Sequence, residues 1–396
     1  MAAEDRLKTL IEQYTPHICE LRRTFHRQPE LSYEEQGTAR VIAAEFRSLG
    51  LEVHEGVGGI PSVIGILHGA QGAGPTVALR ADMDALQITE ATDLPFASER
   101  PGIMHACGHD GHMAILLGAA RVLASLRQEL SGTVIFIGQP AEEKSPHGGA
   151  RAIVASGILE GVKAVYGLHV WPTLPVGQVG VLNGPVMAAS DHVTVTLHGQ
   201  SSHAAMPHRG VDASVAAGQF IMAAQTLVSR QINPLYPAVL TFGRIAGGSR
   251  YNIVADEVTL EGTCRTYHAE AQDLMETKLE GLLQGLDVMY GTQSELQYER
   301  GYGAVFNQPD QADLVRRVVT GRFGAGAPAA VSEPAMTAED FSGYLKDYPG
   351  AFIWLGATAP GKPVWPLHNA HFAVDEACLP MGTEMMAALA LAALRE

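Results

Sequence analysis

Basic residues are in short supply: 27 Lys and Arg stand against 42 Asp and Glu in 396 residues, a formal charge of −15. No Lys/Arg-rich stretch relieves that imbalance, so a phosphate-backbone partner is excluded and nucleic acid is not an expected ligand. Cysteine is scarce too. Cys19, Cys107, Cys264 and Cys378 are scattered, with no Cys-x-x-Cys pair and no disulfide-like spacing. That argues for a reducing compartment, in which a thiolate stays free to bind metal. No uninterrupted apolar run reaches the ~18 residues that a spanning helix needs, so no membrane partner is expected. The opening Met1-Ala2-Ala3-Glu4-Asp5-Arg6 carries acids and no apolar segment. No secretory leader is expected there, and the expected location is cytoplasmic. Missing as well are a Gly-x-Ser-x-Gly elbow, a P-loop, a His-Glu-x-x-His helix and a well-placed Gly-x-Gly-x-x-Gly.

What is present is a composition for packing: 46% hydrophobic and 17% charged, in a chain long enough for two domains. Leu7, Leu10, Ile11, Tyr14, Ile18, Leu21 and Phe25 recur at helical spacing, and Pro29 ends that helix. A second helix is expected over about 34–49, with Gly50 as its C-cap. Short apolar strands follow at 62–67 and 76–79, then a buried helix over about 112–126. Residues 133–137 and 164–168 are continuous apolar runs, read as strands covered on both faces, the second ending at His169. This alternation predicts an α/β domain built on a mostly parallel sheet. Near Gly184-Pro185 the pattern changes to β-α-β-β-α-β, the order of a ferredoxin-like α+β unit. The expected organisation is therefore a catalytic domain over 1–185 and 304–396, interrupted by a smaller inserted domain over 186–303.

Cys107, Gly108 and His109 lead into a helix, Glu142 and Glu143 follow a strand, and His169 ends one. In a parallel sheet such positions gather at the carboxyl edge, where ligands bind. Thiolate, imidazole and carboxylate together suit Zn²⁺ or a neighbouring transition ion better than Mg²⁺ or Ca²⁺. Leu367-His368-Asn369-Ala370-His371 adds two histidines, of which His368 reads as a ligand and His371 as a bystander. His105 and His112 read as structural. More than four donors suggests two ions and a bridging group. Neighbouring carboxylates point different ways, so one of Glu142 and Glu143 can hold metal while the other moves a proton. In the insert, His203 within Ser202-His203-Ala204-Ala205 sits in a polar loop able to stabilise an oxyanion.

These segments resemble a known family. Met104-His105-Ala106-Cys107-Gly108-His109-Asp110, Gln139-Pro140-Ala141-Glu142-Glu143, Gly167-Leu168-His169, His203-Ala204-Ala205 and Leu367-His368-Asn369 look like the metal-dependent amidohydrolases. That family includes hippurate hydrolases, N-acyl-amino-acid deacylases and auxin-conjugate hydrolases. The resemblance runs nearly end to end, from Arg23-x-x-His26-x-x-Pro29-Glu30-Leu31 onward. It implies a dimetal catalytic domain interrupted by a lid that often mediates dimerisation, hence a homodimer or higher homo-oligomer. It further implies two divalent ions per subunit (Zn, Mn, Co or Ni) on Cys107, His109, Glu143, His169 and His368, with Cys107 bridging. Glu142 would be general base and acid. His203 would polarise the scissile carbonyl, in its own subunit or across a dimer. Asn252 and Arg265 would grip substrate, and Asp82 and Asp84 would orient a ligand imidazole.

The sequence departs from the family at Gln87, where proline is usual, and at Lys144-Ser145-Pro146-His147, which replaces small residues beside the Glu pair. The second departure bears on substrate choice. The expected reaction is hydrolysis of the amide between an acyl group and an amino acid; a carboxypeptidase or dipeptidase using the same site is the alternative. A non-catalytic metal-binding protein and a structural zinc protein are the competing classes.

Overall fold

A computed structural model describes residues 3–331 and 333–396, with side chains from residue 6 onward. The chain divides into two compact units. One comprises Met1–Val186, Phe306–Pro334 and Asp340–Glu396, the other Met187–Val305 and Ala335–Glu339. The second unit thus takes in a five-residue return that the sequence analysis placed with the first. The N–H of Ala188 donates to both Ala335 O (3.1 Å) and Thr337 O (2.9 Å), and backbone pairing of that kind leaves no mark in composition.

The first unit is built on an eight-stranded sheet. Strands Thr133–Gln139, Thr76–Asp82, Val162–Pro175 and Gly350–Thr358 lie side by side and parallel at its centre. Val63–His68 and Glu52–Glu55 add an antiparallel margin. The central strands are buried at nearly every position, as β-branched runs covered on both faces should be. Helices Ala3–Arg27, His109–Ser125 and Cys378–Ala393 pack together in the same core. Close approach is possible because Gly118 has no side chain. A Cβ there would stand 2.8 Å from both Ile18 Cδ1 and Thr383 Cγ2.

Two expected boundaries move. The buried helix begins at His109, not near 112. Strand Val162–Pro175 continues well past His169, because Gly350–Thr358 goes on pairing with it at His169↔Trp354 and Val170↔Leu355. Pairing with Thr76–Asp82 stops at Arg80↔Gly167, so His169 meets no partner strand on that side.

The second unit is a four-stranded antiparallel sheet in the order Gln293–Arg300, Ala189–His198, Glu257–Thr266, Ala238–Gly247. Alternate residues Val193, Val195 and Leu197 join Phe220, Met275 and Leu279 of helices Ala213–Thr226 and Ala269–Tyr290 in a separate core. Period-two burial on strands and a stripe on each helix give the β-α-β-β-α-β layer. Asp212 caps the first helix by accepting the N–H of Ser214 at 2.9 Å.

Candidate metal centre

Strands Thr76–Asp82 and Thr133–Gln139 end together, with Asp82 opposite Gln139. Buried Arg80 ties the two ends: it donates to Gln139 Oε1 at 2.9 Å, Asp82 Oδ2 at 2.7 Å and Asp340 Oδ1 at 2.7 Å. Beyond the strands, backbone amides of one loop are held by the other's carboxylate. Asp84 Oδ1 accepts the N–H of Glu142 (3.0 Å), and its Oδ2 accepts that of Glu143 (2.9 Å). The preceding residue, Ala141, has a positive φ of 61°, unfavourable for a residue with a Cβ. Its N–H donates to Glu35 Oε1 at 2.8 Å. Three consecutive amides are therefore fixed by two buried carboxylates, which sets the directions of Glu142 and Glu143.

Gly108 starts the third segment. Its φ is 87°, and a Cβ there would come within 2.4 Å of Val170 Cγ2, so only glycine fits. On either side, Cys107 and His109 are buried. The Nδ1–H of His109 donates to the Asp84 carbonyl oxygen at 2.8 Å, which leaves Nε2 buried without a hydrogen bond. That nitrogen lies 3.7 Å from Asp82 Oδ2 and 4.0 Å from Glu143 Oε1. His169 is arranged alike: Nδ1–H donates to Val170 O at 2.7 Å, and Nε2 stands 3.3 Å from Cys107 Sγ. Backbone acceptors thus select the tautomer that offers a free Nε2 lone pair, the usual preparation of a metal-binding imidazole. His368, at a positive φ of 62°, donates its N–H to Ala106 O, and its Nε2 is 3.1 Å from Glu143 Oε1.

The donor atoms of Cys107, His109 and His169 lie within 4.8 Å of one another, as do those of Cys107, Glu143 and His368. Cys107 belongs to both triads. Glu142 closes a third group with His109 and Glu143. The donor set and the orphaned His109 Nε2 fit divalent transition cations, which these residues would hold. Electrostatics agree. Burial, then Glu143, Glu142 and Asp82, push the Cys107 thiol well above its ordinary range. Burial pulls His109 down, but Asp82, Asp84 and Glu143 carry it up to about 10. The surrounding acids thus favour positive charge at this position, which divalent cations would supply in place of the imidazole proton.

Other histidines have different surroundings. His112 donates from Nδ1 to Asp82 Oδ1 at 2.6 Å and accepts the Val170 N–H on Nε2 at 2.9 Å, so both nitrogens are engaged. His105 is buried with neither ring nitrogen hydrogen-bonded. His371 is exposed and lies beside Trp365, the rings tilted by 31° with centroids 4.8 Å apart.

The remaining candidates belong to the second unit. His203 bridges Ile253, and the Ala204 N–H donates to Asn252 O at 3.1 Å, so the His203 and Asn252 segments run together. His203 Nδ1 accepts the Ala205 N–H at 3.1 Å. Asn252 Oδ1 is buried without a partner. Arg265 stands apart on Glu257–Thr266, opposite Ser190 and Val239. Its guanidinium donates to Thr263 Oγ1 and to Cys264 O. It pairs with no carboxylate among the described residues.

The helix expected over about 34–49 takes in Glu35 without giving it a role, but the helix spans Gln36–Ser48 and Glu35, just before it, makes no side-chain capping bond. Glu30 caps it instead, accepting from the N–H groups of Gly37 and Thr38 at 3.1 and 2.7 Å. Its neighbour is thereby left to the Glu142 loop.

Comparison with known proteins agrees with this geometry. An N-acetylcysteine deacetylase of Bacillus subtilis is 37% identical over 95% of this chain and 97% of its own. Thermostable carboxypeptidase 1 of Saccharolobus solfataricus is 35% identical over 98% of both chains. Among solved structures, the Bacillus subtilis YXEP protein, a dinuclear metal-binding peptidase of the M20 family, superposes with a TM-score of 0.84 at 33% identity. That match covers 97% of this chain and 99% of the other. Residues 78–392 match Peptidase family M20/M25/M40, and the chain belongs to that family.

Proposed function

We propose that the protein hydrolyses the amide bond of small N-acyl amino acids, with two divalent ions held by Cys107, His109, Glu143, His169 and His368. The observation that carries this reading is the pair of donor triads sharing Cys107, with Glu142 beside them. When bound, the ions would supply positive charge that acidifies water and polarises the scissile carbonyl. Glu142 takes a proton from the attacking water and returns it to the leaving nitrogen. Its amide is locked by Asp84, which fixes where the carboxylate can reach. His203 donates from Nε2 to the substrate oxygen, since Nδ1 is occupied as an acceptor. Asn252 offers its amide, and Arg265, with no acidic partner, takes the substrate carboxylate as a bidentate fork.

Thiolate and imidazole donors favour Zn²⁺, Co²⁺ or Ni²⁺, the carboxylates admit Mn²⁺, and unpaired thiols suit a cytoplasmic enzyme. The second unit serves as lid and dimerisation module. Its edge strand Ala238–Gly247 leaves Val239 and Ile245 exposed, and helix Ala213–Thr226 exposes Val215 and Met222. Such an edge invites pairing with a second copy. A carboxypeptidase reading keeps the same machinery, and the 35% identical carboxypeptidase favours it.

Assay of N-acetyl and N-benzoyl amino acids against dipeptides, each with the four metals, tests the proposal. Faster turnover of the N-acyl substrates is expected. Faster dipeptide cleavage would move the assignment to the peptidase reading, and no turnover of either by protein carrying two ions would end both.

A further inference from the structure

Of the two buried imidazoles that would hold metal, His169 is tied less firmly by hydrogen bonds. The Nδ1–H of His109 donates to Asp84 O, in another segment of the chain, at 2.8 Å. That of His169 donates to Val170 O, the next residue of its own strand, at 2.7 Å. Such a bond selects the tautomer but links the ring to nothing outside the strand. Pairing with Thr76–Asp82 has also ended two residues earlier, at Gly167. Nε2 touches Cys107 Sγ at 3.3 Å, yet two deprotonated ligands of one ion cannot keep that contact as a hydrogen bond. What remains to orient the ring is packing.

Four rings stand around it. His112 and His109 lie 4.7 and 6.0 Å away between centroids, Trp171 and Phe352 6.0 and 6.4 Å. His109, His112 and Phe352 are buried, and Trp171 alone is half-buried. Trp354 holds it in place. The two indoles are nearly parallel, at 5°, with centroids 4.1 Å apart. Trp354 is 2% exposed and pairs in register with His169 across the two strands. Trp171 follows His169 by two residues, so all three side chains leave the same face of the sheet. Trp171 then meets the imidazole edge to face, at 78°.

We propose that Trp171, backed by Trp354, is a positioning residue for His169, keeping Nε2 beside Cys107 Sγ for the ion they share. An edge-to-face pair has a preferred angle, so an aromatic ring orients its neighbour where an aliphatic side chain only fills space. The role rests on the metal reading given above and adds a determinant of affinity outside the five donors.

Competition with a chromophoric chelator measures both Zn²⁺ dissociation constants of the full chain, beside the absorption spectrum of the Co²⁺ form. Trp171→Leu keeps apolar bulk and loses the ring. It should weaken one of the two ions about ten- to a hundredfold and alter the Co²⁺ spectrum. Trp171→Phe keeps an edge-to-face partner and should stay within about threefold of wild type, with the wild-type spectrum. An independent variant, Trp354→Phe, shortens the stack behind Trp171 and should weaken the same ion several-fold. Unchanged affinities in both Trp171→Leu and Trp354→Phe overturn the role. So does equal weakening in Trp171→Leu and Trp171→Phe, which would reduce Trp171 to a filler of space. A wild-type chain that binds no ion would overturn the metal reading itself, and this role with it, before any substitution is made.

Discussion

Glu35 Oε1 accepts the N–H of Ala141 at 2.8 Å, one residue before Glu142. Ala141 is held at a φ of 61°, so the turn aiming Glu142 depends on a carboxylate from a distant part of the chain. Glu35→Ala should lower kcat about ten- to a hundredfold, the loss of one buried acceptor expressed as a rate. KM and metal content should change little, and Glu35→Gln, which keeps the acceptor, should recover most activity. Wild-type kcat in Glu35→Ala would remove Glu35 from the positioning of Glu142.

The same residue predicts a pH effect on stability. Burial, then the charge of Asp84, raise Glu35 from 4.5 to about 8. A carboxyl whose folded pKa is raised stabilises fully below its unfolded pKa and loses that contribution as pH rises through the folded value. Wild type should therefore lose stability relative to Glu35→Gln between about pH 4.5 and 8, by a few kcal/mol at most. Urea denaturation of both proteins at pH 5 and pH 8 measures it; a difference that does not grow with pH contradicts the buried, neutral carboxyl.

Glu142 and Glu143 are adjacent but should fail differently. Glu142→Gln should cost about 10²–10⁴ in turnover with both ions retained, as for loss of a general base. Glu143→Gln should lose metal first. Elemental analysis beside steady-state kinetics separates them, and full activity in Glu142→Gln would exclude it as the base.

Chelation gives another contrast. The first unit owes its core to three packed helices and a buried sheet, so stripping the ions should abolish activity while far-ultraviolet circular dichroism is preserved. Adding metal back should restore turnover. Unfolding on chelation would instead mark a structural metal site.

Replacing His203 by Ala should lower kcat about 10²–10³, the scale for one lost oxyanion donor. KM should stay within a few-fold, because the donor acts on charge that develops in the transition state. A change confined to KM would make His203 a binding group only.

Much of this was legible from local pattern. Continuous apolar runs announced buried parallel strands, and the β-α-β-β-α-β order announced the second unit, because side-chain periodicity records which faces are covered. Residue chemistry at strand ends pointed to one sheet edge. Glu35 was not legible, since the helical pattern expected over about 34–49 takes it in, while its partner, the Ala141 N–H, lies 106 positions away. His112 and His169 were told apart by their place in the chain, one inside a helix and one at a strand end, but the bonds that separate them were not legible. One has both nitrogens satisfied by Asp82 and Val170, and the other keeps Nε2 beside Cys107.

By itself the sequence determined which elements form and which donor chemistries the chain carries, because periodicity, glycine placement and residue type act over a few neighbours. Tertiary structure alone decided which nitrogen of each histidine is free and which carboxylate grips which amide. Apart from His169 and His203, whose Nδ1 partners lie one and two residues away, those outcomes depend on hydrogen bonds between residues 25 to more than 100 positions apart, whose partners are chosen only when the sheet and its helices close around them.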